Sequence, residues 1–533
     1  MQLKNLTHIA FLVSIIAIGA CQEQPPQEEQ TVRYEADWSS LERQIDPVPK
    51  WFKDAKFGIY FHWGVYSVPA FGNEWYPRHM YMDGRRENLH HIDTYGEPSG
   101  WPYHYFITGA DDKEGNHVQF APKLKSEGGH FDPEEWADLF AKSGARFAGP
   151  VAEHHDGFSM WASEVNPWNA KEKGPGIDLV GLLVDAIRER DMKIILSMHH
   201  AFHGFRSPDL ADTPTRFYDH APETDDPELQ ILYAQLSEEE NEELWLNKHK
   251  EIIDRYQPDI IWQDFNLTSI RDQVLLDFLA YYYNSADDWG KEVVNTYKDA
   301  LNHDVGVLDY ERGGPTDLTD YYWLTDDALS RGSWCFTEGM EYYTSKQVLH
   351  GFFDRISKNG NLLLNISPRA DGTIPAEQKE ILLTMGDWLG KYGEAVYNTR
   401  AWEKYGEGPT RMGAGHLHTE GGEFEAPSEG THDDIRFTRS KDNKTLYAII
   451  LGWPGDHASY PIRTLSSNNI AIDQLTDVTL LGPTAESDVS LGFNQDEIGL
   501  HMSFPSEKPS EELAYVVKLS FSDRVPALHT AEN

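Results

Sequence analysis

The chain has 533 residues, of which 40% are hydrophobic, and this length predicts two folded domains rather than one. Its 87 acidic and 46 basic residues give a net charge of −41, which argues against nucleic acid or an anionic membrane surface as the main partner. We attribute the charge to a solvating surface rather than to a cation-binding role.

The N-terminus is typical of an exported lipoprotein. A basic residue, an apolar segment and small residues precede Cys21, so residues 1–20 are predicted to be a signal peptide. The four residues that end at Cys21 (Ile-Gly-Ala-Cys) resemble a bacterial lipobox, which predicts a lipid on this cysteine and a periplasmic or cell-surface location. Residues 21–33 are rich in Gln, Glu and Pro and are expected to form a flexible tether. Because Cys335 is then the remaining cysteine, no internal disulfide is expected.

Residues 34–402 alternate short apolar runs with helical patterns, which is typical of a parallel sheet. Strands are predicted at residues 56–61, 147–151, 193–198, 260–262, 292–296, 305–309, 333–336 and 362–365. Helices are predicted at residues 132–144, 178–190, 237–256, 270–286, 345–357 and 375–391. Eight strand–helix units fit a (β/α)8-like barrel better than a doubly wound sheet.

Two further regions have a different pattern. Residues 66–129 are aromatic and rich in Gly and Pro, which predicts an ordered wall without a helix rather than a disordered loop. Residues 403–533 combine Gly-rich turns with short β-type runs, which predicts a C-terminal β-sandwich. We expect the sandwich to brace the barrel or to bind sugar.

Polar side chains follow several predicted strands directly. They are His62, His154, His155, His199, His200 and Asp264. In a (β/α)8 barrel these positions meet at one mouth, where active sites lie, so we expect one ring of reactive groups. For Asp264, the alternative is a structural role as the N-cap of the next helix.

Two chemistries suit such a ring. Histidines and carboxylates at a barrel mouth can hold a metal that activates water, but this usually requires a His-x-His pair on the first strand, where this chain has His62-Trp63-Gly64. An aromatic pocket with imidazoles and two carboxylates instead suits a sugar and the hydrolysis of its glycosidic bond. No nucleophile elbow, phosphate loop or dinucleotide fingerprint is present in the sequence.

Several motifs, in the same order, resemble the retaining α-L-fucosidases of glycoside hydrolase family 29. The motifs are residues 51–59, residues 62–69, Glu74-Trp75-Tyr76, residues 154–158 and residues 360–365. The resemblance implies a barrel, a C-terminal β-sandwich and a double displacement without a metal or other cofactor. It also implies that Asp264 is the nucleophile. The side chains expected to bind the sugar are His62, Glu74, Trp75, His154, His155, Trp262 and Trp334.

The residue after the nucleophile departs from the family pattern, and the position of the acid/base varies between members of the family. The family usually has glycine after the nucleophile, whereas Phe265 follows Asp264 here, so we expect an altered floor beside the anomeric carbon. For the acid/base we predict Glu311, because it follows the sixth strand at the same mouth. Asp309 and Glu338 are the alternatives.

These observations predict an exo-acting α-L-fucosidase that hydrolyses terminal α-L-fucosyl residues of an oligo- or polysaccharide with net retention. The alternatives are an α-L-galactosidase on the same scaffold and a fucose-binding lipoprotein without catalysis. The linkage, the sulfation of the natural glycan and the oligomeric state are left open by the sequence.

Overall fold

The computed structural model describes residues 33–207, 215–411, 426–456, 459–482 and 484–529. The predicted signal peptide, the lipobox at Cys21 and the tether up to residue 32 lie outside these residues, so those predictions remain expectations. Within the described residues, no helix has the length and hydrophobicity that a membrane span requires.

Eight parallel strands close into a barrel, which confirms the predicted fold. Each strand pairs with its neighbours in the sequence, and β1 closes the barrel by pairing with both β2 and β8. The strands are β1 (Phe57–Phe61), β2 (Phe147–Glu153), β3 (Lys193–Met198), β4 (Ile260–Gln263), β5 (Val294–Tyr297), β6 (Val307–Asp309), β7 (Trp323–Ala328) and β8 (Gly360–Ile366).

The predicted seventh strand was wrong. Residues 333–336 form a loop, and β7 is the earlier segment Trp323–Ala328. This strand carries Thr325, Asp326 and Asp327, so it lacks the continuous apolar run by which buried parallel strands are recognised. These polar side chains are nevertheless buried: Asp326 faces the polar site inside the barrel, whereas Asp327 pairs with Arg355 of the helix Ser345–Ser357.

Six longer helices pack around the barrel, and their predicted bounds agree with the structure to within a few residues. They are Pro133–Lys142, Leu179–Arg188, Glu238–Tyr256, Asp272–Trp289, Ser345–Ser357 and Ala376–Tyr392. Shorter helices are Trp38–Gln44, Lys50–Ala55, Tyr76–His79, Arg86–Thr94, Tyr105–Thr108, His200–Gly204 and Pro227–Leu232. The segment at residues 66–129 is ordered, but it contains three of these helices and a two-stranded sheet, which corrects the expectation of a wall without helices.

Alternation along the barrel strands decides which side chains enter the site. In β4, Ile260 and Trp262 belong to the cluster inside the barrel, whereas Ile261 packs outward against the helices. Because side chains two apart share a face of a strand, Asp264 continues the inward row. The same parity places His62 in line with the inward Tyr60 of β1.

The C-terminal part forms two antiparallel sheets, as predicted for a β-sandwich. Its strands are β9 (Thr399–Glu407), β10 (Ile435–Ser440), β11 (Thr445–Ile450), β12 (Ser459–Ile462), β13 (Leu475–Leu480), β14 (Val489–Ser490), β15 (Gly492–Gln495), β16 (Leu500–Ser503) and β17 (Tyr515–Phe521). One sheet has the order β9-β10-β11-β17-β13-β14 and the other β12-β16-β15. A buried ion pair at 2.6 Å joins Arg436 of β10 to Asp354 of the helix Ser345–Ser357. The predicted start of the C-terminal domain, residue 403, falls within β9.

Candidate active site

The first five barrel strands each deliver a pocket side chain at the first position beyond their C-terminal end. In the order of the strands these side chains are His62, His154, His199, Asp264 and Lys298. They therefore form a ring at the mouth of the barrel, as expected for a barrel enzyme.

All nine predicted site residues line one pocket with this ring. The complete lining is Tyr60, His62, Glu74, Trp75, His154, His155, His199, Trp262, Asp264, Phe265, Lys298, Glu311, Asp326 and Trp334. The pocket is small, which suits a single terminal residue better than an extended chain.

The Asp264 carboxylate is buried and held from two sides. Its Oδ2 lies 3.1 Å from Nε2 of His155, and its Oδ1 lies 3.0 Å from Nζ of Lys298. His155 is oriented by its Nδ1–H, which donates to the backbone carbonyl of His199 at 2.7 Å. Burial by itself would raise the pKa of Asp264, but the Lys298 ammonium and the nearby imidazoles hold this pKa well below its ordinary value. Asp264 is therefore an ionised carboxylate with a fixed direction, which is the state that a nucleophile needs.

The helix-cap alternative for Asp264 does not fit the structure. The next helical segment is a single turn at Leu267–Ser269, and its N-cap is Asn266. The side chain of Asp264 instead points into the pocket, where it contacts His155 and Lys298.

Lys298 joins Asp264 to Glu311. Its Nζ lies 3.0 Å from Asp264 Oδ1 and 2.9 Å from Glu311 Oε2. Because both oxygens contact one nitrogen, they are at most about 6 Å apart, which is below the roughly 6.5–9.5 Å of inverting glycosidases. This short spacing of the two oxygens favours direct attack by one of the carboxyl groups over attack by a water held between them.

Two further carboxyl groups lie beneath this bridge. Asp326 Oδ2 accepts a hydrogen bond from the Tyr60 hydroxyl at 3.0 Å and lies 3.8 Å from Nζ of Lys298. Burial raises the pKa of Asp326 to about 6. Burial and the neighbouring Asp326 raise the pKa of Asp309 well above its ordinary value. Because one buried ammonium faces four carboxyl groups, the cluster retains protons near neutral pH.

The three candidates for the acid/base occupy different places. Glu311 lines the pocket. The next residue, Arg312, has a left-handed backbone (φ 57°), and its backbone N–H donates a hydrogen bond to the carbonyl oxygen of Asp326 at 2.7 Å. Asp309 is fully buried below the pocket, where its Oδ1 accepts the backbone N–H of Asp326. Glu338 is 70% exposed and pairs with Arg369 away from the pocket lining. Position therefore favours Glu311.

Neutral imidazoles form the opposite side of the pocket. The amide nitrogen of Asn365 donates to the Trp334 carbonyl, so its Oδ1 accepts from His62 Nδ1–H at 2.8 Å. Burial lowers the pKa of His62 to about 3 and lowers the pKa values of His154 and His199 well below the ordinary value. Such rings can donate to or accept from sugar hydroxyls without adding charge.

Glu74 and the partly exposed aromatic residues complete the rim. Oε2 of Glu74 accepts the backbone N–H of Trp334 at 3.0 Å, and burial raises the pKa of Glu74. The rings of Trp75 and Phe265 are nearly parallel, at 7° with centroids 6.5 Å apart, and the buried Phe202 packs 5.3 Å from each. Phe265 is therefore held as an aromatic part of the lining directly beside Asp264.

One expected member of the ring lies elsewhere. His200 begins the helix His200–Gly204, and its Nδ1 lies 2.7 Å from Oε1 of the fully buried Glu153. The same carboxylate oxygen binds Nζ of Lys248 at 2.7 Å, and Ser159 donates to Oε2 at 2.6 Å. Because the chain turns into a helix after His199, the two adjacent histidines face different surroundings. His200 therefore belongs to a charged network behind the pocket.

Sequence reasoning missed Lys298, Asp326 and Tyr60 as pocket residues. Lys298 lies two residues beyond the fifth predicted strand, as Asp264 does beyond the fourth, so the rule that selected Asp264 could also have selected it. Asp326 could not be found in this way, because its strand was not recognised. Tyr60 lies two residues before His62, so the alternation of side chains along a strand could have placed it on the same inward face.

Comparison with known proteins agrees with this geometry. A family model described as alpha-L-fucosidase matches residues 20–394, and one described as the alpha-L-fucosidase C-terminal domain matches residues 428–520. The tissue alpha-L-fucosidase of Homo sapiens is 29% identical over 538 residues, which covers 96% of this chain and 97% of that protein. The corresponding protein of Rattus norvegicus is 30% identical over 514 residues, or 91% of this chain and 92% of that protein.

Solved structures agree with the family match. The alpha-fucosidase of Thermotoga maritima in complex with fucose superposes with a TM-score of 0.65 at 28% sequence identity, covering 91% of this chain and all of that one. A second structure of the Thermotoga maritima enzyme gives a TM-score of 0.68 with the same coverage of this chain. The resemblance seen in the motifs is thus confirmed, and this chain belongs to the α-L-fucosidase family of glycoside hydrolases.

Proposed function

We propose that this protein is an exo-acting α-L-fucosidase that removes terminal α-L-fucosyl residues from a glycan with net retention. The observation that carries the proposal is the Asp264–Lys298–Glu311 bridge, in which an ionised carboxylate and a second carboxyl group face one small aromatic pocket. The fucose bound by the Thermotoga maritima relative gives the substrate class.

In the first step, an oxygen of Asp264 attacks the anomeric carbon while the bond from that carbon to the leaving oxygen breaks. Glu311 gives its proton to that oxygen, which leaves as the hydroxyl of the shortened glycan. In the second step, Glu311 takes a proton from water, and the water oxygen displaces Asp264 from the anomeric carbon. Two displacements at the same carbon leave the sugar with its original configuration.

Glu311 must be protonated before the first step, although the neighbouring Lys298 ammonium favours its carboxylate. The assignment of Glu311 as the acid therefore rests on its place in the pocket and on its bridge to Asp264 through Lys298. Glu74 is the rival carboxyl group, because it lines the same pocket and burial raises its pKa.

Kinetics of carboxyl variants test the assignment. Glu311→Ala is expected to lower the rate on a natural fucosyl glycan by about 10²–10⁴-fold, while sparing the first step on an activated aryl fucoside. Added azide should restore turnover of the aryl fucoside as the azide adduct, because azide attacks the intermediate without a general base. Asp264→Ala should abolish both activities. Glu338→Ala, which removes an exposed carboxylate, is the matched control and should behave as the wild type. Azide rescue of Glu74→Ala instead of Glu311→Ala would reassign the acid/base.

Substrate comparison separates the alternatives. An α-L-galactoside differs from an α-L-fucoside by a hydroxyl at C6, and a pocket that merely accommodates a hydroxyl discriminates by only about 10²-fold. We expect faster release of nitrophenol from the aryl α-L-fucoside than from the aryl α-L-galactoside, and the reverse order would establish the α-L-galactosidase. No release from either substrate would indicate a binding protein.

We further propose that the enzyme is exported and anchored to a membrane through a lipid on Cys21. The apolar N-terminal segment and the lipobox-like sequence support this proposal.

A further inference from the structure

Three pocket histidines have an arrangement that sugar binding does not by itself require. His62, His154 and His199 follow three adjacent barrel strands. One ring nitrogen of each histidine lies within 4.8 Å of one ring nitrogen of each of the other two. The three ring centroids are 4.6–5.4 Å apart, and all three side chains are buried.

The hydrogen bonds of the rings leave nitrogens available for a ligand. His62 donates through Nδ1 to Asn365, so its Nε2 carries a free lone pair, and such a fixed partner is typical of metal-binding histidines. Nδ1 of His154 is buried and has no hydrogen-bond partner among the described residues. An unpaired buried nitrogen is costly, so a ligand that satisfies it is favoured.

A carboxylate lies beside the three rings. Oδ2 of Asp264 is 3.9 Å from Nε2 of His199, so it can approach an ion held by the imidazoles. Lys298 binds the other oxygen of Asp264 and offsets part of its charge. Three neutral imidazoles and one oxygen ligand are a donor set that suits Zn²⁺ or Cu²⁺ and does not suit Mg²⁺ or Ca²⁺.

We propose that His62, His154 and His199 bind a transition-metal ion such as Zn²⁺ in the sugar-free pocket, with Asp264 or water as the fourth ligand. Zn–N bonds of roughly 2.0–2.1 Å require ligand nitrogens about 3.4 Å apart, so the ring nitrogens must draw together by up to about 1.4 Å. The ion occupies the groups assigned to the sugar and the nucleophile. It therefore inhibits the enzyme by competing with the substrate, and this competitive part rests on the proposed function.

Cobalt reports metal binding independently of activity. Full-length protein stripped with EDTA and then dialysed is titrated with Co²⁺, and we expect visible absorption bands that saturate at one ion per chain. Zn²⁺ should abolish the bands, and Mg²⁺ should leave them unchanged. Absence of bands would overturn the proposal.

Variants locate the ion. His154→Ala and His62→Gln should each weaken Co²⁺ binding at least tenfold, which corresponds to about 1.4 kcal/mol. His130→Ala, which changes an exposed histidine outside the pocket, is the control and should bind as the wild type. Thermal melting checks that each variant is folded. Wild-type binding by both pocket variants would place the ion elsewhere and overturn the proposal.

Competition tests the inhibitory role. L-Fucose should reduce the cobalt bands, and Zn²⁺ should raise the KM for an aryl fucoside without changing kcat. Cobalt bands that persist in saturating L-fucose would overturn the competitive role. The activity of the metal-free enzyme is measured in the same series, so failure of the proposed function is recognised separately as absence of nitrophenol release.

Discussion

Replacing Lys298 with methionine tests whether the ammonium group keeps the proposed nucleophile ionised. Lys298 Nζ lies 3.0 Å from Asp264 Oδ1, and the pair is buried. At an effective dielectric constant of about 20, opposite unit charges 3 Å apart attract each other by about 5.5 kcal/mol. Because one pKa unit corresponds to about 1.4 kcal/mol, loss of the ammonium is expected to raise the pKa of Asp264 by roughly 2–4 units.

The assay is the pH dependence of kcat/KM on an aryl α-L-fucoside, because its acidic limb reports the free enzyme. A higher pKa means that Asp264 becomes protonated at a higher pH, so activity is lost earlier as the pH falls. We expect the acidic limb of Lys298→Met to move up by at least about 2 pH units. The rate at the optimum should also fall, because Asp264 and Glu311 lose their common partner.

Lys298→Arg is the matched control, because it retains the positive charge at this position. Its acidic limb should stay near that of the wild type, even if its maximal rate falls. Melting curves establish that both variants are folded. If Lys298→Met is folded and its acidic limb coincides with that of the wild type, then Lys298 does not set the ionisation of Asp264.

Three further predictions concern the metal, the core and the anchor. EDTA should not lower activity on an aryl fucoside, and a loss that Zn²⁺ restores would support the metal-hydrolase alternative. Lys56 is fully buried with no hydrogen-bond partner for Nζ among the described residues, and burial lowers its pKa from 10.5 to about 7. The buried charge therefore destabilises the folded state fully below pH about 7, and this effect fades as the pH rises toward 10.5, where the lysine of the unfolded chain also loses its proton. Lys56→Met should raise the free energy of unfolding by on the order of 4 kcal/mol at pH 6 and by less at pH 10. Chemical denaturation at both pH values measures the free energy of unfolding, and Lys53→Met, at a partly exposed lysine, is the control. An equal increase in the free energy of unfolding of Lys56→Met at both pH values would contradict the reasoning. Cys21→Ser should move the protein from the membrane to the soluble fraction with unchanged specific activity, and retention in the membrane fraction would refute the lipid anchor.

Local sequence determined most of the barrel, because helix caps and apolar runs are short-range signals. Asp132, Asp178 and Ser237 each accept backbone N–H groups at the start of the helix that they were predicted to begin. The position of Asp264 directly after an apolar run was sufficient to place it at the mouth of the barrel. Strand β7 was missed because the polar residues Thr325, Asp326 and Asp327 interrupt its apolar residues, and hydrophobic periodicity does not detect a strand with such an interruption.

Only the tertiary structure decided how the charged groups combine. Asp264, Lys298 and Glu311 are separated along the chain, and Lys298 contacts the other two because neighbouring strands of a closed barrel bring the residues beyond their ends together. The pKa values depend on burial and on these contacts, neither of which is a property of the local sequence. The sequence by itself therefore determined the fold and the residue types at the mouth of the barrel. The closure of the barrel decided that Asp264 is held ionised between His155 and Lys298, and that His200 is turned away from the pocket.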